Sequence, residues 1–331
     1  MRFAKLIFLL LGASLLTYVL MQADITAIWQ QIASISIVGL GVIFVLYALY
    51  FGADVLSWQY TFETVPRTTH WAGRLYLIRM IGEAYNNITP MGSVGGEPVK
   101  AWLLKSNYGV PLADSTASLI LAKTASMFSL VLFVFFAVLI AFDHPHLLSA
   151  HKNWVLAAFC WFFFNIVVFF LMQHLRLSSF TATRLGRSRF GEKLSKLVSG
   201  MHEMDEQFAR FYRRPRAQLW WAMGWAMMNW IIGAAELYAI LYFIGYPISW
   251  TEAWLIESML QLIRAVAFFI PAGLGVQEGT LMFAYAAITG TPTPGIAAAL
   301  VRRFRELVWI SISLLIGLAF KVQNVPTEIK D

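Results

Sequence analysis

Apolar positions in this chain run together in long blocks, without the short alternation of half-buried strands or the narrow stripe of surface helices. Six blocks, 6–21, 37–58, 113–141, 155–171, 219–244 and 297–320, approach or exceed the roughly 20 residues that an α-helix needs to cross about 30 Å of hydrocarbon. Two further apolar stretches, 74–108 and 250–290, are interrupted near their centres by proline and glycine. They read as helix–break–helix hairpins that enter the membrane and return on the same side. Irregular backbone is tolerated at that depth only when it is buried in protein or lines a polar cavity. The pattern therefore predicts an all-α polytopic membrane protein with about six spanning helices and two re-entrant helical hairpins.

Composition agrees, with 59% hydrophobic and 13% charged residues against about a quarter charged in soluble domains. The single cysteine, Cys160, lies inside an apolar block, which excludes a disulfide framework and a cysteine-based metal site. The longest polar stretch, 173–217, is short for an independent domain, so 1–331 reads as one membrane domain. That stretch also explains the net charge of +7, because it holds ten Lys/Arg against four Asp/Glu. A basic segment between spans marks a cytoplasmic loop beside anionic headgroups rather than a nucleic-acid surface. Counting spans from it puts Arg2, Lys5, Arg67, Arg74, Lys321 and Lys330 on the cytoplasmic side and 143–151 outside. Both termini are then cytoplasmic, in the cytoplasmic (inner) membrane. No small-residue cleavage site closes the first block, so it is expected to be a retained helix.

The two interrupted stretches match at a constant offset of 181 residues. Pro90, Gly92 and Glu97 correspond to Pro271, Gly273 and Glu278, and Gly109 and Pro111 correspond to Gly290 and Pro292. Both copies, about 76–141 and 257–320, read as a break, a short helix, G-x-P and a long membrane helix. Two spans separate them, so the copies are expected to be inverted. Inverted repeats with broken helices are a common way to build alternating access around one central site.

Candidate chemistry gathers at the breaks and in the last helix. Gly95 and Gly96 precede a helix starting near Glu97 and Pro98, and Gly273 and Gly275 precede one starting at Val276. Helix N-termini attract anions, and Lys100 adds a charge in the first turn. Charged groups at membrane depth are costly and usually functional. Glu97 and Glu278 either cap their own helices or form a protonatable pair that moves with a headgroup. Arg302, Arg303, Arg305 and Glu306 open the last helix, where arginine suits bidentate phosphate contact. Arg264 and Lys123 are further candidates, and some of this cluster is expected to snorkel or to pair with Glu306. A stretch at 190–212 has the spacing of an interfacial amphipathic helix. His144, His146 and His151 with Asp143 form only a weak metal candidate. No nucleotide loop or hydrolase grouping is present, and no cofactor is expected.

The segment from Pro90 through Gly95, Gly96, Glu97, Pro98 and Lys100, paired with Pro271, Gly273, Gly275 and Glu278, resembles a known family. It is similar to the flippase-like transmembrane region of lysylphosphatidylglycerol synthetases and their stand-alone relatives, over essentially the whole chain. The resemblance implies translocation of a phospholipid or a polyprenyl-phosphate-linked lipid. The aminoacyl-transferase domain of the synthetases is not expected here, which argues against synthesis of the aminoacyl lipid. Where relatives often carry an acidic–basic pair, this chain has Ala122-Lys123-Thr124-Ala125, which is similar to the hopanoid-biosynthesis-associated branch and implies a hopanoid or other isoprenoid lipid as partner. The expected function is lipid transport without ATP, with Lys100, Arg302, Arg303 and Arg305 on the headgroup. The alternatives are a membrane-embedded transferase and an accessory subunit of a lipid-synthesis complex.

Overall fold

The computed structural model describes residues 24–88, 95–142, 216–267, 270 and 273–320, with a few positions between 14 and 21. The fourth block with Cys160, the basic segment as far as residue 215 with its amphipathic stretch 190–212, the candidate metal residues at 143–151 and most of the first block lie outside the described residues. So do Pro90, Gly92 and Pro271.

Nine helices are described: α1 (Ile25–Ala33), α2 (Ile37–Gln59), α3 (Thr69–Ile88), α4 (Gly96–Tyr108), α5 (Leu112–Phe142), α6 (Arg216–Phe243), α7 (Trp250–Val266), α8 (Val276–Thr289) and α9 (Thr293–Ala319). Local chemistry sets their ends. The Asp24 carboxylate accepts from the amides of Thr26 and Ala27 at 3.0 Å each, and the Ser36 hydroxyl accepts from Gly39 at 3.1 Å. Such caps satisfy donors that the first helical turn leaves unpaired. Ser249 and Glu252 start α7 with a reciprocal capping box. In each G-x-P the glycine takes a left-handed conformation that ends a helix, Gly109 at φ 70° after α4 and Gly290 at φ 79° after α8.

Three of the described helices, within Ile37–Gln59, Leu112–Ala141 and Ala217–Phe243, are long and apolar enough to cross a membrane. The last helix starts at Thr293, four residues ahead of the apolar block, because Pro294 fits its first turn. Helices α4, α7 and α8, with 13, 17 and 14 residues, fall short of the roughly 20 needed to cross.

Polarity is distributed opposite to that of a water-soluble fold. Leu315 and Leu318 are 66% and 85% exposed, whereas Glu278, Arg302 and Arg305 are 1%, 3% and 4% exposed. Water would penalise that arrangement on both counts, while hydrocarbon favours it.

The packing divides into two comparable halves. Shifted by the 181-residue offset, α2 falls within α6, and α3, α4 and α5 start within a residue of α7, α8 and α9. The correspondence thus reaches one helix further upstream than the motif spacing indicates. Helices α3 and α4 pack together as α7 and α8 do, and α4 lies on α5 as α8 lies on α9. The long helices are exchanged, with α9 packing on α3 and α5 on α7. Between the halves, α2 lies along α6: Ser57 donates to the Ala222 carbonyl at 2.8 Å, Asn229 donates to the Tyr50 carbonyl at 2.7 Å, and Gly39 abuts Phe243. Numbers fall on one helix as they rise on the other, so the two run antiparallel.

Candidate functional site

Where the halves meet, side chains from both enclose a cavity of about 200 Å³. Tyr47, Tyr50 and Phe51 come from α2, Arg79 and Glu83 from α3, and Gly233 and Glu236 from α6. Glu257, Gln261 and Arg264 come from α7, and Ala267, Ile270 and Gly273 from the break that follows. Val276 and Gln277 open α8, while Arg302, Arg305, Glu306, Trp309 and Ile310 lie along α9. Four guanidinium groups and four carboxylates therefore face one space, so their formal charges balance.

Most of these charges are neutralised by specific partners. The Arg302 guanidinium lies 2.8 Å from Glu257 and 3.6 Å from Glu236, and it donates to the Gly233 carbonyl at 2.8 Å. Arg305 pairs with Glu236, approaches Glu306 at 3.4 Å and stacks 3.5 Å above the Tyr47 ring. Arg79 is clamped between Asp54 at 2.5 Å and Glu83 at 2.6 Å, above the Phe51 ring. Gln261 donates to the remaining oxygen of Glu257 at 2.7 Å. Buried pairs of this kind bring little net stability, but removing one partner strands a charge in a low-dielectric interior. The network fixes helices α2, α3, α6, α7 and α9 relative to one another.

Among the residues expected from the sequence, Arg264, Gly273, Arg302, Arg305 and Glu306 line this cavity. Gly275, Glu278 and Arg303 lie just behind it. Gly275 turns at φ 75°, and its amide donates to the Glu278 carboxylate at 2.9 Å. Arg303 donates to the other oxygen of Glu278 through two nitrogens, at 2.9 and 2.8 Å, and reaches Glu306 at 3.0 Å. Glu278 thus caps α8 and ties it to α9.

Gly95, Gly96, Glu97, Lys100 and Lys123 do not line the cavity. Glu97 pairs with Lys100 on its own helix at 2.7 Å, and the buried ammonium lies 5.5 Å from the centre of the Trp58 ring. The Gly96 amide donates to the Asn86 side chain at 2.7 Å. Its Cα faces α3 so closely that an added Cβ would stand 2.0 Å from the Gly82 carbonyl. Gly96 therefore serves helix–helix approach, and its amide already has an acceptor. Lys123 is exposed on α5.

Sequence reasoning missed Asp54, Arg79, Glu83, Glu236, Glu257 and Gln277. Two carried a readable signal: Asp54 is the one charge in Ile37–Gln59 and Glu236 the one charge in Ala217–Phe243. A lone carboxylate in an apolar span calls for a partner.

An apolar exterior, several membrane-length helices and a charged interior define a polytopic helical membrane protein with a polar cavity between its halves. The chain belongs to the family of the lysylphosphatidylglycerol synthase TM region, whose profile matches residues 4–313. It is similar to a UPF0104 membrane protein of Methanothermobacter thermautotrophicus, with 25% identity over 305 residues, covering 87% of this chain and 86% of the relative. No solved structure matches. Family membership places the chain among lipid-related membrane proteins.

Proposed function

We propose that this protein translocates a lipid across the cytoplasmic membrane without ATP, receiving the headgroup in the charged cavity and leaving the tails in hydrocarbon. The cavity carries the proposal, because both halves build it and it places paired charges inside an otherwise apolar helix bundle. The 181-residue correspondence and the antiparallel α2–α6 seam support an inverted repeat, the architecture in which two halves rock about one central site. On this reading the hairpins α3–α4 and α7–α8 are re-entrant and enter from opposite sides, and both termini are cytoplasmic. The cargo is a phospholipid or an isoprenoid lipid of polyprenyl-phosphate or hopanoid type.

Reconstitution in proteoliposomes tests this reading. A carrier passes through two open states and depends on both hairpins. Glu97→Gln and Glu278→Gln should therefore each reduce movement of labelled lipid between leaflets while leaving the protein folded. The translocated lipid should have unchanged mass. A covalently altered lipid, with loss of activity in only one of the two variants, would assign the cavity to a transferase.

A further inference from the structure

Three cavity-facing residues carry donors that the protein leaves unanswered. Arg79, Arg302 and Arg305 each hold carboxylates, but among the described residues no carboxylate lies within 4.0 Å of Arg264. Gln277 is 2% exposed, and its amide nitrogen has no hydrogen-bond partner. The indole nitrogen of Trp309, 8% exposed, has none either. Gln277 and Trp309 are buried, whereas Arg264 is exposed at the edge of the cavity. Guanidinium and indole N–H groups can only donate, and a buried donor without an acceptor is costly. All three residues line the same cavity, from α7, α8 and α9. An unpaired cation beside unsatisfied donors calls for an anion with several acceptor oxygens.

Position narrows the source of that anion. Arg264 lies fourteen residues beyond Trp250, about 21 Å along α7, and on the re-entrant reading of α7 a cation that far along needs a counter-charge. Its neighbours Met259 and Ile263 are 36% and 42% exposed. A headgroup at Arg264 would therefore leave its tails beside an apolar helix face.

We infer that Arg264, Gln277 and Trp309 form a subsite for a phosphate oxyanion, the phosphate of a lipid headgroup. The inference deepens the lipid-translocation reading and rests on it for the source of the phosphate. Arg302 and Arg305 shape the wall, and their charges are answered within the protein.

The test is a titration of the detergent-solubilised full chain with dioctanoyl phosphatidic acid, sodium phosphate and dioctanoylglycerol. Phosphatidic acid should bind wild type, and Arg264→Gln should weaken it about ten-fold or more, as loss of a charge-assisted contact predicts. Gln277→Leu should weaken it about three-fold or more. Arg264→Lys should restore part of the affinity and controls for misfolding, together with the melting temperature of each variant. Unchanged affinity in folded Arg264→Gln would overturn the subsite, as would dioctanoylglycerol binding as tightly as phosphatidic acid. Equal affinity for sodium phosphate would keep the anion site but overturn its assignment to a lipid. The two readings fail separately. Arg264-dependent binding without leaflet-to-leaflet movement by wild type removes translocation and keeps the subsite. Movement by wild type with Arg264-independent binding does the reverse.

Discussion

The two hairpins share a backbone plan and differ in what fills their arms. In α3–α4, Gly82 and Gly96 let the arms touch, and the Cβ that Gly96 lacks would stand 2.0 Å from a backbone oxygen. At the corresponding places of α7–α8 stand Ile263 and Gln277, and Gln277 faces the cavity. Charge follows the same division. Glu97 finds Lys100 within its own helix, whereas Glu278 crosses to Arg303 on α9. Leu121, Ala122, Thr124 and Ala125 of α5 occupy the positions that Arg302, Arg303, Arg305 and Glu306 fill on α9. Arm α4 packs as a strut away from the cavity and α3 lends the cavity only Arg79 and Glu83, whereas both α7 and α8 wall it. Corresponding backbone places therefore need not carry the same chemistry.

The largest expected effect separates α9 from α5. Arg302→Met strands Glu257, while Glu236 keeps Arg305, and should cost about 3–5 kcal/mol. Leu121→Met at the corresponding place should cost less than about 1.5 kcal/mol. Denaturant titration in mixed micelles measures both, and equal losses would erase the distinction. Next come the hairpin arms. Gly96→Ala drives a methyl group into the Gly82 carbonyl and should cost about 3 kcal/mol, visible as a lowered melting temperature. Gln277→Ala removes a donor that has no partner and should stay within about 1 kcal/mol of wild type when no lipid is bound. The glutamates follow. Glu278→Gln weakens charge-assisted bonds to Arg303 and should cost about 2 kcal/mol, while Glu97→Gln, at a more exposed side chain, should cost about 1 kcal/mol in the same titration. The smallest effect is expected at exposed Lys123, where Lys123→Gln should change stability by no more than about 0.5 kcal/mol.

Much of this arrangement is legible before any coordinates. Apolar length places α2, α5 and α6, and the two G-x-P motifs mark the glycines that end α4 and α8. The upstream reach of the 181-residue correspondence into α2 and α6 is hidden, because lipid asks only for apolar residues there and leaves no motif to align. Ion-pair partners are hidden for another reason. Whether Arg302 meets Glu236, Glu257 or a phosphate depends on how α6 and α7 are rotated against α9, and side-chain packing sets that rotation. Sequence alone therefore finds the cations of α9 and proposes them for a ligand, although carboxylates elsewhere in the chain hold them. Arg264 was also legible as a charge, but its lack of a partner emerges only once the others are seen to be paired.

The exchange of long helices, α9 onto α3 and α5 onto α7, bears on how the protein is made. Synthesis delivers α6, α7 and α8 to the bilayer before α9, so Glu236, Glu257 and Glu278 arrive ahead of Arg302, Arg303 and Arg305. Until α9 inserts, those carboxylates lack the cations that later hold them, and the earlier α3 lacks the helix that covers it. Neither half can finish assembling alone, so the last helix acts as a latch on a nascent bundle whose acidic helices must wait for it.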